Sequence, residues 1–175
     1  MLPDPLHPAV VHFPIVLMFL LPLAALGAVW YRRRYPERHG AWVLTTALAG
    51  ALTLSAWVAV ETGERDEEKV EKAVPEASLE AHEEAAERFL LLSAGVLVLA
   101  GAGLLRGRIG SAARLATTAG AFGLVAAGAM VGHSGGELVY RHGAAAAHAT
   151  AGPAVAEAVG QTERAKAGGE SPDDD

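Results

Sequence analysis

The 175-residue chain predicts an all-α fold, a four-transmembrane-helix bundle with both termini on the outer side of the membrane, and three observations predict it. Four apolar stretches, Val11 to Tyr31, Ala41 to Val60, Phe89 to Leu105 and Leu115 to Val131, are each close to the ~20 residues that cross ~30 Å of hydrocarbon. None carries the polar stripe of a soluble amphipathic helix. The charged residues sort by connection: Arg32, Arg33, Arg34 and Arg38 lie between spans one and two, and Arg106, Arg108 and Arg114 between spans three and four. Cytoplasmic loops carry the excess of Lys and Arg, so both connections are expected inside, in the inner (plasma) membrane.

The elements follow in order. The N-terminus lacks a basic start and its apolar run ends in three arginines, a stop-transfer pattern rather than a cleaved signal, so span one is read as a retained helix. It starts near Pro8, which suits a first turn, and Pro14 and Pro22 should bend it. Trp30, Tyr31 and Trp42 fall at the inner interface as an aromatic belt. The connection from Glu61 to Arg88 holds eleven acids against four bases, and the segment from His133 onward seven against three, which places both outside. After Pro75 the stretch Glu76 to Arg88 reads as a helix running without a break into span three. Its carboxylates Glu80, Glu83, Glu84 and Glu87 read as a solvated face. The bundle is assigned to residues 1–143, and residues 144–175, without a period that could bury a face, to a disordered acidic tail.

The net charge of −6 is concentrated on the outer connection and tail, which excludes nucleic acid as a partner and suits a basic carrier docking outside. The absence of cysteine removes disulfides, thiolate-held iron–sulfur clusters, blue-copper sites and covalently attached haem. No nucleophile–base pair or phosphate loop is present, which argues against a conventional hydrolase or transferase.

Five of the seven histidines, His7, His12, His82, His133 and His142, fall at one end of the spans. His12 lies 20 residues from Arg32, His133 lies 19 from Arg114, Glu61 lies 19 from Trp42, and His82 lies 24 from Arg106. At ~1.5 Å of rise per residue these side chains share one outer layer. One interfacial histidine is commonly a headgroup contact, but several at one depth on separate helices point to a shared cofactor. Gly128, Gly132 and Gly136 are spaced by four around His133. Such a stripe permits either close helix packing or approach of a flat ring, and so makes Gly132 and Gly136 candidates to flank a porphyrin. Glu61, Ser134 and Glu137 are candidate partners for the second imidazole nitrogen. His39 and His148 are read as solvent-exposed.

The opening LHPAVVHFP and the close GHSGGELVYRHG, with His82 before span three, resemble a bacterial family of four-helix membrane proteins, domain of unknown function 2231. The resemblance covers about residues 6 to 143. Carried over residue by residue, it marks His7, His12, His82, His133 and His142. Some relatives are fused to cytochrome-c-like domains, and the histidine-bearing plan looks like that of membrane b-type cytochromes.

The leading expectation is therefore non-covalent haem b near the outer face, passing electrons between quinol and an external carrier such as a c-type cytochrome. His12 with His133 is the best axial pair by depth, with His82 as the replacement for either. His7 and His142 are assigned to propionates or a second haem, and Glu61 to a proton relay or an end-cap of span two. The alternatives are a copper, zinc or iron site built from His12, His133 and His82, or a structural subunit of a respiratory complex. The chain reads as an electron-transfer or cofactor-binding subunit rather than a stand-alone enzyme.

Overall fold

A computed structural model describes residues 6–35, 40–70 and 74–144. His39, His148 and the expected tail beyond Ala144 lie outside them. The described residues are helical: α1 (His7–Val10), α2 (His12–Arg34), α3 (Ala41–Val70), α4 (Glu76–Ala102) and α5 (Gly107–Tyr140). Consecutive helices pack side by side, and α5 also packs against α2, so the four long helices close a ring in up-and-down order. Successive helices run in opposite directions, which gathers the histidines of α1, α4 and α5 at one end and Arg32, Arg33, Arg34, Arg106, Arg108 and Arg114 at the other.

All four long helices are apolar and long enough to cross a membrane. They exceed the apolar stretches because the backbone hydrogen-bond ladder runs on into helix-forming Glu and Arg once the hydrocarbon ends. The 34 residues of α5 span about 51 Å against ~30 Å of hydrocarbon. The expected continuity of Glu76 to Arg88 with span three is present in α4. In the first helix the ladder breaks at Val11, between α1 and α2. Pro14 has no N–H to offer the Val10 carbonyl one turn earlier, which accounts for the break. Pro22 lies inside α2 and is buried.

The core is thin and interleaves alanines with a few large apolar residues. Met18 and Leu21 of α2, Ala49, Leu52 and Ala56 of α3, Phe89, Val96 and Ala100 of α4, and Ala121 and Leu124 of α5 form its centre. Large apolar side chains instead face outward, among them Leu23, Leu44, Leu91, Val98, Leu115 and Phe122. This is the arrangement expected where lipid covers the outside and close approach of backbones holds the inside. A Cβ at Gly128 would stand 2.2 Å from Met18 Sδ, and one at Gly120 would stand 2.9 Å from Val96 Cγ2. Nothing lies near Gly132 or Gly136. The glycines of α5 that meet close neighbours are thus Gly120, Gly128 and Gly135, not Gly132 and Gly136.

The arginine end holds two polar locks. Trp42 is 1% exposed and donates its indole N–H to the Ala100 carbonyl at 2.9 Å. Its expected place in an interfacial belt is corrected: the ring joins α3 to α4 because Gly103, whose Cβ would stand 2.3 Å from the indole nitrogen, leaves room for it. Trp30, by contrast, is exposed. The buried Arg114 guanidinium donates to the Gly103 and Leu105 carbonyls and to Ser111 Oγ. It thereby satisfies carbonyls that the end of α4 leaves open. Gly107 starts α5 with φ +79, a left-handed conformation in which a Cβ would be strained.

Candidate cofactor site at the histidine end

His82 is placed by its own helix. It follows Leu79 by one turn and precedes Phe89 by two, both buried, so it shares the inward face of α4. Its Nδ1 lies 2.9 Å from Ser134 Oγ on α5. The Ser134 hydroxyl proton is directed at the Val131 carbonyl, 3.0 Å away, so the hydroxyl oxygen accepts and Nδ1 carries the proton. The ring rests on Gly135, where a Cβ would stand 3.0 Å from His82 Cε1.

His7 repeats the pattern on the neighbouring pair of elements. Its Nδ1 lies 2.8 Å from the Ala59 carbonyl of α3, an acceptor only, which assigns the proton to Nδ1. Buried Thr62 stands 3.5 Å from the same nitrogen and directs its own proton to the Val58 and Ala59 carbonyls. The His7 backbone N–H donates to Asp66 Oδ2 at 3.3 Å. A Cβ at Gly63 would stand 3.2 Å from His7 Cε1. His7 and His82 are both partly buried and lie within electrostatic reach of each other. Each holds Nδ1 against a neighbouring acceptor, and His82 also hydrogen-bonds the Val131 backbone.

His142 joins the same end. Its Nε2 lies 3.4 Å from Ser78 Oγ, one turn before His82 on α4. His12 and His133 do not join. Both are exposed, and at about 100° per residue each lies roughly 120–180° around its helix from the buried residues Pro14, Met18 and Leu21 of α2 or Thr117, Ala121 and Leu124 of α5. They line separate shallow grooves on the outside of the bundle, His12 with Phe13, Val16 and Leu17, and His133 with Gly132, Gly136, Glu137, Tyr140 and Arg141. The structure therefore does not bring His12 and His133 together inside the bundle: at similar depth, both side chains lie on outward faces, in separate grooves.

Glu61 is half-exposed and lies 3.9 Å from Arg65 one turn on, and Glu137 pairs with Arg141 at 2.7 Å. Of the three partners expected for an imidazole, Ser134 is the one used. Ala59, Thr62, Asp66 and Ser78 were missed, since a backbone carbonyl leaves no mark in sequence and Asp66 is one acid in a run of many. His82 was legible as inward-facing from the Leu79 and Phe89 spacing.

A porphyrin supplies four equatorial nitrogens and asks the protein for two axial donors, whereas bare zinc or copper asks for three or four. No group of three or more His, Asp or Glu side chains positioned to hold a metal ion occurs among the described residues. His7 and His82, held through Nδ1, match the number of protein donors that a porphyrin asks for and fall short of the number that bare zinc or copper asks for.

No curated protein and no solved structure matches the chain. The family described as predicted membrane protein, domain of unknown function 2231, matches residues 3–148. Four apolar, membrane-length helices fit that description, and the match spans most of the chain, which therefore belongs to this family of membrane proteins.

Proposed function

We propose that the protein is a membrane b-type-cytochrome-like electron carrier that holds haem b between His7 and His82 near its outer face. The observation that carries this reading is the pair of Nδ1 hydrogen bonds, from His7 to the Ala59 carbonyl and from His82 to Ser134 Oγ, which hold two partly buried imidazoles at one end of the bundle. The bound group would supply reversible one-electron exchange. The chain's residues do the rest. Ala59 and Ser134 hold the ring orientations and raise the basicity of Nε2. Gly63 and Gly135 let each imidazole lie against a backbone, which restricts its rotation. Thr62 and Asp66 hold α1 against α3. His142, held near Ser78, is available to a propionate.

The reading includes the inner (plasma) membrane as location with both termini outside, on the strength of the arginine distribution. Quinol in the bilayer and a basic external carrier such as a c-type cytochrome are the partners, the acidic outer connection being suited to the second. Copper or zinc held by protein donors alone would need a third ligand. A second reading, a structural subunit of a respiratory complex, is favoured by the same contacts taken as clasps: His7 ties α1 to α3, and His82 ties α4 to α5.

Spectra separate them. Protein purified in mild detergent after expression with ample haem should show a reducible Soret band near one haem per chain. His7→Ala and His82→Ala should each abolish it, and His12→Ala and His133→Ala should leave it. A colourless, folded protein would support the clasp reading and end this one.

A further inference from the structure

The opposite end of the bundle carries a second surface with its own chemistry. Arg33, Arg34, Arg106 and Arg108 are exposed there, brought together from the end of α2 and the start of α5. Those two helices pack against each other, and Arg32 of one lies within electrostatic reach of Arg114 of the other. No Asp or Glu occurs among the described residues of this end, 29–35, 40–46 and 99–118. The ion pairs Arg65–Glu61, Arg88–Glu84 and Arg141–Glu137 all lie at the histidine end. Arg114 is held by backbone carbonyls, so its charge is not cancelled. The neighbours of these arginines are apolar and outward-facing: Trp30 is 67% exposed, Leu104 49%, Leu105 54% and Ile109 69%. A soluble polyanion would have no use for that apolar collar, whereas a molecule with acyl chains beside an anionic phosphate matches both halves.

We infer that the arginine end is a docking surface for anionic phospholipid, with the acyl chains against Trp30, Leu104, Leu105 and Ile109 and the headgroup phosphates among Arg33, Arg34, Arg106 and Arg108. The site is independent of any cofactor at the other end. A basic residue beside an anionic surface is worth about fivefold in partitioning, and the attraction is screened by salt.

The test uses the full chain in mixed micelles of a neutral detergent with brominated phosphatidylglycerol or brominated phosphatidylcholine, and reads quenching of tryptophan fluorescence. The anionic lipid should quench at least about fivefold more effectively per mole at low salt, and the preference should collapse near 1 M salt. R33Q/R34Q/R106Q/R108Q should abolish it, and R65Q/R88Q, at the other end, should leave it. If the fourfold variant does not fold, R106Q/R108Q should reduce the preference in proportion. Equal quenching by the two lipids, a preference that survives the arginine substitutions, or displacement of the lipid by inorganic phosphate would overturn the inference.

Discussion

Replacing Ser134 by Ala removes one oxygen and tests the site through its support rather than its ligand. In the folded protein that oxygen accepts from His82 Nδ1 at 2.9 Å, and its own proton is directed at the Val131 carbonyl at 3.0 Å. Without it, the partly buried imidazole keeps only the Val131 backbone as partner, so the cost is at most the roughly 1–3 kcal/mol of a donor left unsatisfied. Outer partners of metal-bound histidines are commonly worth about 10–100-fold in affinity, equivalent to roughly 1.4–2.7 kcal/mol. The two routes agree, so Ser134→Ala should weaken haem binding by about 10–100-fold. Ser134→Thr, which keeps the hydroxyl, should restore most of it. The assay is titration of apoprotein in detergent with haem, followed at the Soret band, alongside thermal unfolding of the apoprotein. A variant that binds haem as the parent does would refute the assignment of Nε2 as the ligand atom. Loss of stability without change in affinity would show Ser134 to be a helix clasp only.

Other outcomes follow from the packing. Gly135→Ala places a Cβ 3.0 Å from His82 Cε1, so the ring must give by a few tenths of an ångström; Soret position or affinity should shift while helicity by circular dichroism stays unchanged. Gly128→Val pushes into Met18 and Phe89 and should cost about 1–3 kcal/mol, read as a lower unfolding temperature in detergent. Trp42→Phe removes the donor to the Ala100 carbonyl and should cost about 1–3 kcal/mol by the same measurement, softened because Thr46 Oγ1 also donates to that carbonyl at 3.1 Å. Gly107→Ala meets φ +79 and should cost roughly 1–2 kcal/mol.

The fold was legible because hydropathy marks the segments long and apolar enough to cross a bilayer, and α2 to α5 carry the four apolar stretches, α4 ending three residues before Leu105. The depth of the histidines was legible for the same reason, through rise per residue. Their facing was not. A helix that is apolar on every side has no polar stripe to say which side is inward, so His12 and His133 ranked ahead of His82 although they lie on outward faces. His7 was undervalued because it precedes the first apolar stretch, and the turn at Pro8 and Val11 that folds it onto Ala59 has no signature in periodicity. Trp42 followed the statistical preference of tryptophan for interfaces, which the opening beside Gly103 overrides.

Electron paramagnetic resonance of the oxidised, haem-loaded protein addresses the central claim most directly, since it reports the axial ligands themselves. Two imidazoles should give a low-spin ferric signal, and His7→Ala or His82→Ala, supplied with haem, should each convert it to high spin, while His12→Ala and His133→Ala leave it unaltered. A low-spin signal that survives loss of His7 and of His82 but vanishes with His12 or His133 would contradict the account.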